Sequence, residues 1–231
     1  ANKIQPTLSP LNPVEFSCTG LTVPGNPSDN ICLKAYSLLN KDFPALLPSS
    51  SIHLHKTIPT GAGLGGGSSN GAFTLLLINN IFNLNLTTEQ LHQYAFNLGS
   101  DCPFFIHNTP CFATGRGEQH EPLPLDLSPF SFLIVYPGIH IRTAWAFAQL
   151  QPSPSCKPVK DIVTQPVISW KDELLNDFEV PIFQEYPQIK EIKNTLYTNG
   201  ALYASLSGSG SSVYGIFHKN KVPQLKWNNN Y

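Results

Sequence analysis

Methionine is absent from the 231 residues, even at position 1. Its absence at the start predicts that further residues precede Ala1 in the encoded protein. Charged residues are also scarce, at 13% of the chain with a net charge of −1. This balance gives no global electrostatic reason to bind nucleic acid or an anionic membrane surface. The expected partner is therefore a small molecule.

Long apolar runs are missing too. No run approaches the ~20 residues that span a bilayer, and no charged and apolar leader opens the chain, so we expect a soluble, cytoplasmic protein with no membrane partner. The five cysteines form no CxxC pair, which favours reduced thiols over a disulfide framework or a zinc site. The sequence thus predicts no metal held by protein side chains alone.

The most distinctive stretch runs from Lys56 to Ala72 and reads KTIPTGAGLGGGSSNGA. Five glycines between Gly61 and Gly67 leave mainly backbone N–H groups to face a ligand. The apolar residues that follow, at positions 73, 76, 77 and 81, predict a helix packed on a core by that face. A glycine-rich loop that leads into a helix N terminus favours a bound anion, above all phosphate.

The start of this helix offers three suitable N-cap residues, which are Ser68, Ser69 and Asn70. Two common phosphate-loop motifs do not fit. The dinucleotide-binding fingerprint needs an acidic residue about 20 positions further on, where this chain is apolar or Asn. The P-loop needs Gly-Lys-Ser/Thr, and here the loop has Gly67-Ser68-Ser69 with no lysine.

Helical and strand patterns mix along the chain without the regular alternation of a doubly wound sheet. Apolar spacing predicts helices after Asn30, from 88 to 98, from 143 to 150, from 171 to 178 and from 189 to 199, and strands at 51–58, 111–114, 130–136, 201–206 and 213–218. We interpret this as an α+β fold of two lobes. The proline-dotted stretch from 121 to 129 predicts a boundary between residues 1–127 and 128–231.

The full loop resembles the P-x-x-x-G-L-G-S-S loop of the GHMP small-molecule kinases. Four further strings match that superfamily in order: LGSDCPFF at 98–105, ATGRGE at 113–118, NDFE at 176–179 and SGSGSS at 207–212. The resemblance implies a two-lobed GHMP kinase fold with nucleotide and substrate in the cleft between the lobes. Within the superfamily the strings are most similar to a branch that phosphorylates a cytidyl small molecule in isoprenoid precursor synthesis.

The resemblance also implies roles for individual residues. Asp101 matches the catalytic acidic group, which would accept a proton from the substrate hydroxyl as it attacks the γ-phosphorus of ATP; a helix cap is the structural alternative for this side chain. Thr143 matches a substrate hydrogen-bonding position and Phe147 a ring that stacks on cytosine, with a core position as the alternative for Phe147. The residues that match ATP-binding positions are Asn30, Lys56, Gly61, Gly63, Leu64, Gly65, Gly66, Gly67, Ser68, Ser69, Gly208, Ser209 and Gly210.

The implied cofactors are ATP and Mg²⁺, the latter carried mainly by phosphate oxygens and water. The front of the chain departs from the family, which opens with a proline-x-alanine-lysine-x-asparagine strand; Ala1-Asn2-Lys3 has similar residue types in another order, and the role of the family lysine is not assigned to Lys3. Two alternatives stay open, namely another GHMP kinase acting on homoserine, mevalonate or a sugar, and an inactive nucleotide-binding homologue.

Overall fold

The computed structural model describes residues 2–6, 14–150 and 157–227. The chain divides into two compact units, one made of residues 1–60 and 65–122 and the other of residues 61–64 and 123–231. The glycine-rich loop is thus shared, because Gly61–Leu64 belongs to the second unit and the chain from Gly65 onwards to the first. Among the described residues, no helix combines the length and apolar character needed to cross a bilayer.

The first unit holds a three-stranded sheet and a layer of helices. Its elements are β1 (Asn2–Pro6), β2 (Val14–Gly20), α1 (Ile31–Asp42), β3 (Ser50–Lys56), α2 (Gly66–Ile81), α3 (Thr88–Leu98), α4 (Phe104–His107), β4 (Cys111–Thr114) and β5 (Gln119–Pro122). The central strand β3 pairs antiparallel with β1 and parallel with β2, while β4 and β5 form a separate antiparallel hairpin.

The core of this unit lies where the helices cover β3. Side chains of β3 alternate between buried and less buried positions, and Ile52 and Leu54 point into the core. Tyr36 and Leu39 from α1 join Leu75 from α2 in the same cluster. This alternation is the one expected of a strand with one covered face, so β3 is packed on the core where it leads towards the glycine-rich loop.

Helix α2 corrects two sequence predictions. The predicted buried face is wrong, because Phe73 and Ile81 are 43% and 37% exposed while Leu75 and Ile78 are fully buried. The run from 73 to 78 is apolar on almost every side, so periodicity alone could not select the face. The predicted N-cap is also wrong: the helix begins at Gly66, with Gly65 as its N-cap in the left-handed region.

The second unit has its own antiparallel sheet and its own core. Its elements are β6 (Phe130–Val135), α5 (Thr143–Ala148), α6 (Val159–Val163), α7 (Trp170–Glu173), α8 (Glu179–Glu185), α9 (Pro187–Thr198), β7 (Tyr203–Leu206) and β8 (Val213–His218), with strand order β6-β8-β7. Buried Ile182, Ile189 and Leu196 from α8 and α9 pack with Phe217 from β8.

A single helix over 171–178 is wrong. Helix α7 ends at Glu173, and a turn separates it from α8, which begins at Glu179. The side chain of Asn176 stabilises this turn by accepting a hydrogen bond from the Phe178 amide at 3.0 Å. Asparagine side chains of this kind offer the backbone an alternative to helical hydrogen bonds. The mixed α+β architecture itself is confirmed.

Candidate functional site

The N terminus of α2 is the centre of the candidate site in the first unit. Gly65 adopts a left-handed conformation with φ of 63° and carries no side chain that could cap the helix. The amide of Ser69 donates to the Gly65 carbonyl at 2.9 Å, so the amides of Gly66, Gly67 and Ser68 have no acceptor inside the helix. Three amides and the positive end of the helix dipole therefore point to one place, which suits a phosphate group.

The glycine at position 65 is required for two reasons. A β-carbon there would lie 2.7 Å from Cζ of Phe105, and the left-handed backbone would strain any other residue. At Gly67, by contrast, a β-carbon would have no atom within 4 Å. Gly67 is thus free of packing constraints, and the open space beside it is available to a ligand.

The segment that carries Asp101 packs against this helix terminus. Cys102 is fully buried and its thiol is hydrogen-bonded to the side chain of Ser68, while Phe105 lies against Gly65. Burial raises the pKa of Cys102 to about 11, and the Ser68 hydrogen bond only partly opposes that rise. Cys102 is accordingly a protonated packing residue, and it places the neighbouring Asp101 beside the uncapped end of α2.

Asp101 itself is exposed, as a group that meets substrate must be. The alternative interpretation as a helix cap is not supported, since α4 begins at Phe104 with Pro103 as its N-cap. The turn between β4 and β5 also contacts this segment. A β-carbon at Gly117 would lie 3.3 Å from the Ser100 carbonyl oxygen and 3.9 Å from Oδ1 of Asp101.

Lys56 lies at the end of β3 and is only 4% exposed. Its Nζ donates to Oδ1 of Asn70 on α2 at 2.9 Å, and burial lowers the pKa of Lys56. Two cavities meet this side chain. The first, of about 480 Å³, is also lined by Gly20, Asn30, Gly67 and Asn70; the second, of about 360 Å³, is lined by Ile58, Gly66, Asn70 and Phe73 among others.

Asn30 is the N-cap of α1, and its Oδ1 accepts a hydrogen bond from the Cys32 amide at 3.0 Å. The capping role is therefore observed, and it is compatible with a ligand contact because Asn30 also lines the first cavity. Sequence reasoning missed most of the remaining lining, which includes residues 20–27, Asn70 and side chains of β2 such as Phe16 and Cys18. The signal in the sequence is Gly20, since its φ is +84° and a β-carbon there would lie 2.2 Å from the Lys56 carbonyl oxygen.

In the second unit, Gly61–Leu64 packs on the loop between β7 and β8. Ser207 donates through Oγ to the Gly63 carbonyl at 2.8 Å, and the Ser212 amide donates to the Ala62 carbonyl at 3.0 Å. A β-carbon at Gly63 would lie 2.1 Å from the Ser207 carbonyl oxygen, so only glycine fits. The predicted ATP-binding residues Gly61, Gly63 and Leu64 are thus brought together with the loop that contains Gly208, Ser209 and Gly210.

The NDFE string supports this same loop. Asn176 donates through Nδ2 to the carbonyls of Leu206 and Gly208, both at 2.9 Å. Glu179 is 8% exposed, accepts from the Leu206 amide at 2.9 Å and forms an ion pair of 2.5 Å with Lys193. Through these contacts, Asn176 and Glu179 hold the 207–212 loop in place.

Thr143 and Phe147 both lie on α5, and both are exposed. Phe147 is 59% exposed, which excludes the core position that was its alternative interpretation. Its ring meets Phe178 edge to face at a centroid distance of 5.0 Å. An aromatic ring held by one neighbour and open on its other side can stack on a planar ligand.

Two family models match the chain. Residues 30–109 match the GHMP kinases N terminal domain and residues 165–226 match the GHMP kinases C terminal model. The 4-diphosphocytidyl-2-C-methyl-D-erythritol kinase of Bacteroides thetaiotaomicron is 49% identical over 212 residues, which are 91% of this chain and 77% of that protein. The enzyme of the same name from Cytophaga hutchinsonii is 44% identical over 90% of this chain and 77% of its own length.

Solved structures agree with these sequence matches. A crystal structure of 4-(cytidine 5'-diphospho)-2C-methyl-D-erythritol kinase aligns with a TM-score of 0.76 and 28% identity, covering 93% of this chain and 75% of its own. A homoserine kinase from Cytophaga hutchinsonii aligns over 95% of this chain and 76% of its own with a TM-score of 0.68, but at only 15% identity. The second similarity concerns the fold alone.

Proposed function

This chain belongs to the 4-diphosphocytidyl-2-C-methyl-D-erythritol kinase family of the GHMP kinases, and on that premise we propose that it transfers the γ-phosphoryl group of ATP to the 2-hydroxyl of 4-diphosphocytidyl-2-C-methyl-D-erythritol. The proposal places the protein in the non-mevalonate isoprenoid pathway. The observation that carries it is the 49% identity to a kinase of that name over 91% of the chain.

The uncapped N terminus of α2 is the proposed phosphate site. The amides of Gly66, Gly67 and Ser68 would donate to phosphate oxygens, and the Gly61–Leu64 part of the loop would contribute its backbone in the same role. ATP enters as its Mg²⁺ complex, which neutralises phosphate charge. Hard oxygen groups such as the Ser68 hydroxyl and the exposed Asp101 carboxylate suit such a complex, and neither is used as a helix cap.

For adenine we propose the cavity of about 480 Å³. It is bordered by Gly67 at the proposed phosphate end and by Asn30 and Lys56. The Asn30 carboxamide, held in place by its hydrogen bond to Cys32, can present its nitrogen to an acceptor on the base. Gly208, Ser209 and Gly210 are proposed to support the nucleotide through the second unit.

Asp101 is the proposed general base. A substrate hydroxyl must lose its proton as its oxygen attacks phosphorus, and an exposed carboxylate beside a phosphate site can orient that hydroxyl and accept the proton. We propose direct transfer without a phosphoenzyme. The cysteine next to Asp101, Cys102, would be a poor phosphoryl acceptor, because its buried thiol has a pKa raised to about 11 and stays protonated. This supports direct transfer.

Thr143 and Phe147 are the proposed contacts to the cytidyl part of the substrate. Exposure of both side chains supports the proposal, as does the edge-to-face contact that fixes the Phe147 ring on Phe178. Stacking on cytosine requires no charge, which fits a chain with only 13% charged residues.

The need for ATP as phosphoryl donor favours the cytoplasm as the place of the reaction.

A panel of acceptors tests the proposal. The protein, expressed with any residues encoded upstream of Ala1, is incubated with MgATP and with the cytidyl substrate, homoserine or mevalonate, and ADP release is followed for each. We expect turnover with the cytidyl substrate alone. Transfer to homoserine or mevalonate in its place would assign the chain to another GHMP activity, and no transfer to any acceptor would point to an inactive homologue.

A further inference from the structure

Three histidines of the first unit, none of them part of the glycine-rich loop, meet at one place. His92 lies on α3, His107 is the last residue of α4, and His120 lies on β5. One ring nitrogen from each can be chosen so that all three lie within 4.8 Å of one another. The ring centroid of His92 lies 5.5 Å from that of His107 and 5.5 Å from that of His120.

The tautomer of His120 is fixed by its surroundings. Its Nε2 lies 2.9 Å from the Gly117 carbonyl oxygen, and because a carbonyl only accepts, Nε2 carries the proton. In the neutral ring Nδ1 then carries an unprotonated lone pair, and this atom is buried with no hydrogen-bond partner among the described residues. A buried acceptor without a partner costs free energy, and a bound cation would satisfy it.

His92 has a similar arrangement. One of its ring nitrogens donates to the backbone carbonyl of Glu118, which leaves the other for a ligand. Metal-binding histidines almost always donate their second nitrogen to a carbonyl or carboxylate, which fixes the ring and raises its basicity. Both partly buried rings of this cluster have such a partner, and the two carbonyls are neighbours in the turn between β4 and β5.

We propose that His92, His107 and His120 form a three-imidazole site for a divalent transition-metal ion of the zinc class. Imidazole nitrogens select Zn²⁺, Cu²⁺ or Ni²⁺ over Mg²⁺ and Ca²⁺. The ion bound at this site would therefore differ from the Mg²⁺ that accompanies ATP. Around a tetrahedral Zn²⁺ with Zn–N bonds of about 2.0–2.1 Å, ligand nitrogens are roughly 3.3 Å apart. The three nitrogens, which lie within 4.8 Å of one another, would have to approach to that separation, and the exposed His107 side chain has room to move.

The ion would connect three elements that surround the Asp101 segment. Helix α3 ends just before that segment and α4 begins just after it, while the hairpin turn touches it through Gly117. A metal ion shared by α3, α4 and β5 would therefore fix the backbone on both sides of Asp101. Cysteine spacing gave no sign of this site, and the three histidines follow no recognised motif spacing.

The test uses the full chain after treatment with a chelator and removal of the chelator. Zn²⁺ is titrated by calorimetry, Co²⁺ by its visible absorption, and Tm is measured with each ion and with Mg²⁺. We expect one saturable site, and a rise in Tm of about 5 °C when Zn²⁺ exceeds its Kd a hundredfold. Mg²⁺ should cause neither binding at this site nor a Tm shift.

His107→Ala is the decisive variant, because His107 is exposed and its loss leaves the core intact, which circular dichroism verifies. We expect Zn²⁺ affinity to fall at least about tenfold and the visible Co²⁺ band to weaken. His218→Ala, at the exposed end of β8, is the matched control and should bind as the unchanged protein does. The absence of a saturable site, or equal affinity in His107→Ala, would show a packing cluster and overturn the proposal.

Discussion

The ammonium group of Lys56 and the carboxamide of Asn70 are joined by a hydrogen bond of 2.9 Å between Nζ and Oδ1. It links the end of β3 to the second turn of α2 across the glycine-rich loop. Because Lys56 is only 4% exposed, its charge depends on this neutral partner, and burial lowers the pKa of Lys56. The pair fixes the spacing between the strand and the helix that the loop connects.

Asn70→Ala should therefore destabilise the protein. Removing the acceptor from a buried charged donor costs about 1.5–3 kcal/mol, and denaturant unfolding measures the loss. Asn70→Asp retains an acceptor for Lys56 and should stay closer to the original stability. Asn80→Ala, at an exposed position of the same helix, is the matched control and should change the free energy of unfolding by less than about 0.5 kcal/mol. Equal losses at positions 70 and 80 would contradict the role of the Lys56 pair.

Gly67→Ala should separate folding from ATP binding. The position is helical and a β-carbon there meets nothing within 4 Å, so the change should stabilise the fold by about 0.4–1 kcal/mol. The same methyl group would stand where we propose the phosphates bind, and the Kd for ATP should rise several-fold. Denaturant unfolding and calorimetric ATP titration give the two values.

Gly65→Ala provides the contrast. Its left-handed backbone and the 2.7 Å approach to Phe105 should cost about 1–2 kcal/mol of stability. If Gly67→Ala bound ATP as tightly as the unchanged protein, the N terminus of α2 would not be the phosphate site.

Asp101→Asn tests the proposed base. The side chain is exposed and its amide analogue has the same size, so the fold should not change. Loss of a general base should lower kcat by about 10²–10⁴-fold, while the Kd for ATP stays within a few-fold. Steady-state kinetics and ATP titration measure both, with the exposed Asp172→Asn on α7 as the control. Unaltered turnover in Asp101→Asn would remove this residue from the mechanism.

Phe147→Ala should raise KM for the cytidyl substrate about tenfold, which is the loss of roughly 1.4 kcal/mol of binding. Stability should fall only by the edge-to-face contact with Phe178, about 0.5–1.5 kcal/mol, since Phe147 is 59% exposed. Phe132→Ala is the matched control, because Phe132 is 46% exposed and lies on β6. An equal KM effect in both variants would argue against a specific cytosine contact.

Most helices and strands were predictable from the sequence, because helix caps and apolar spacing depend on residues close together in the chain. Thr87 and Gln90 form a capping box at the start of α3, where the helix was predicted to begin, with both hydrogen bonds present, and the predicted strand over 213–218 matches β8 residue for residue. The start and buried face of α2 were not predictable. A run of apolar residues does not identify a face, and the residue that closes off the space beside Gly65 is Phe105, which lies 40 positions further along the chain.

The sequence by itself determined the family and the phosphate chemistry, because the glycine-rich loop and four ordered strings are recognisable without coordinates. Only the tertiary structure decided how the loop is divided between the two units and that Cys102 and Ser68 bring Asp101 beside the end of α2. It alone also brought His92, His107 and His120 together. The reason is physical: these relationships join residues far apart in the chain, and packing of the whole unit sets their distances.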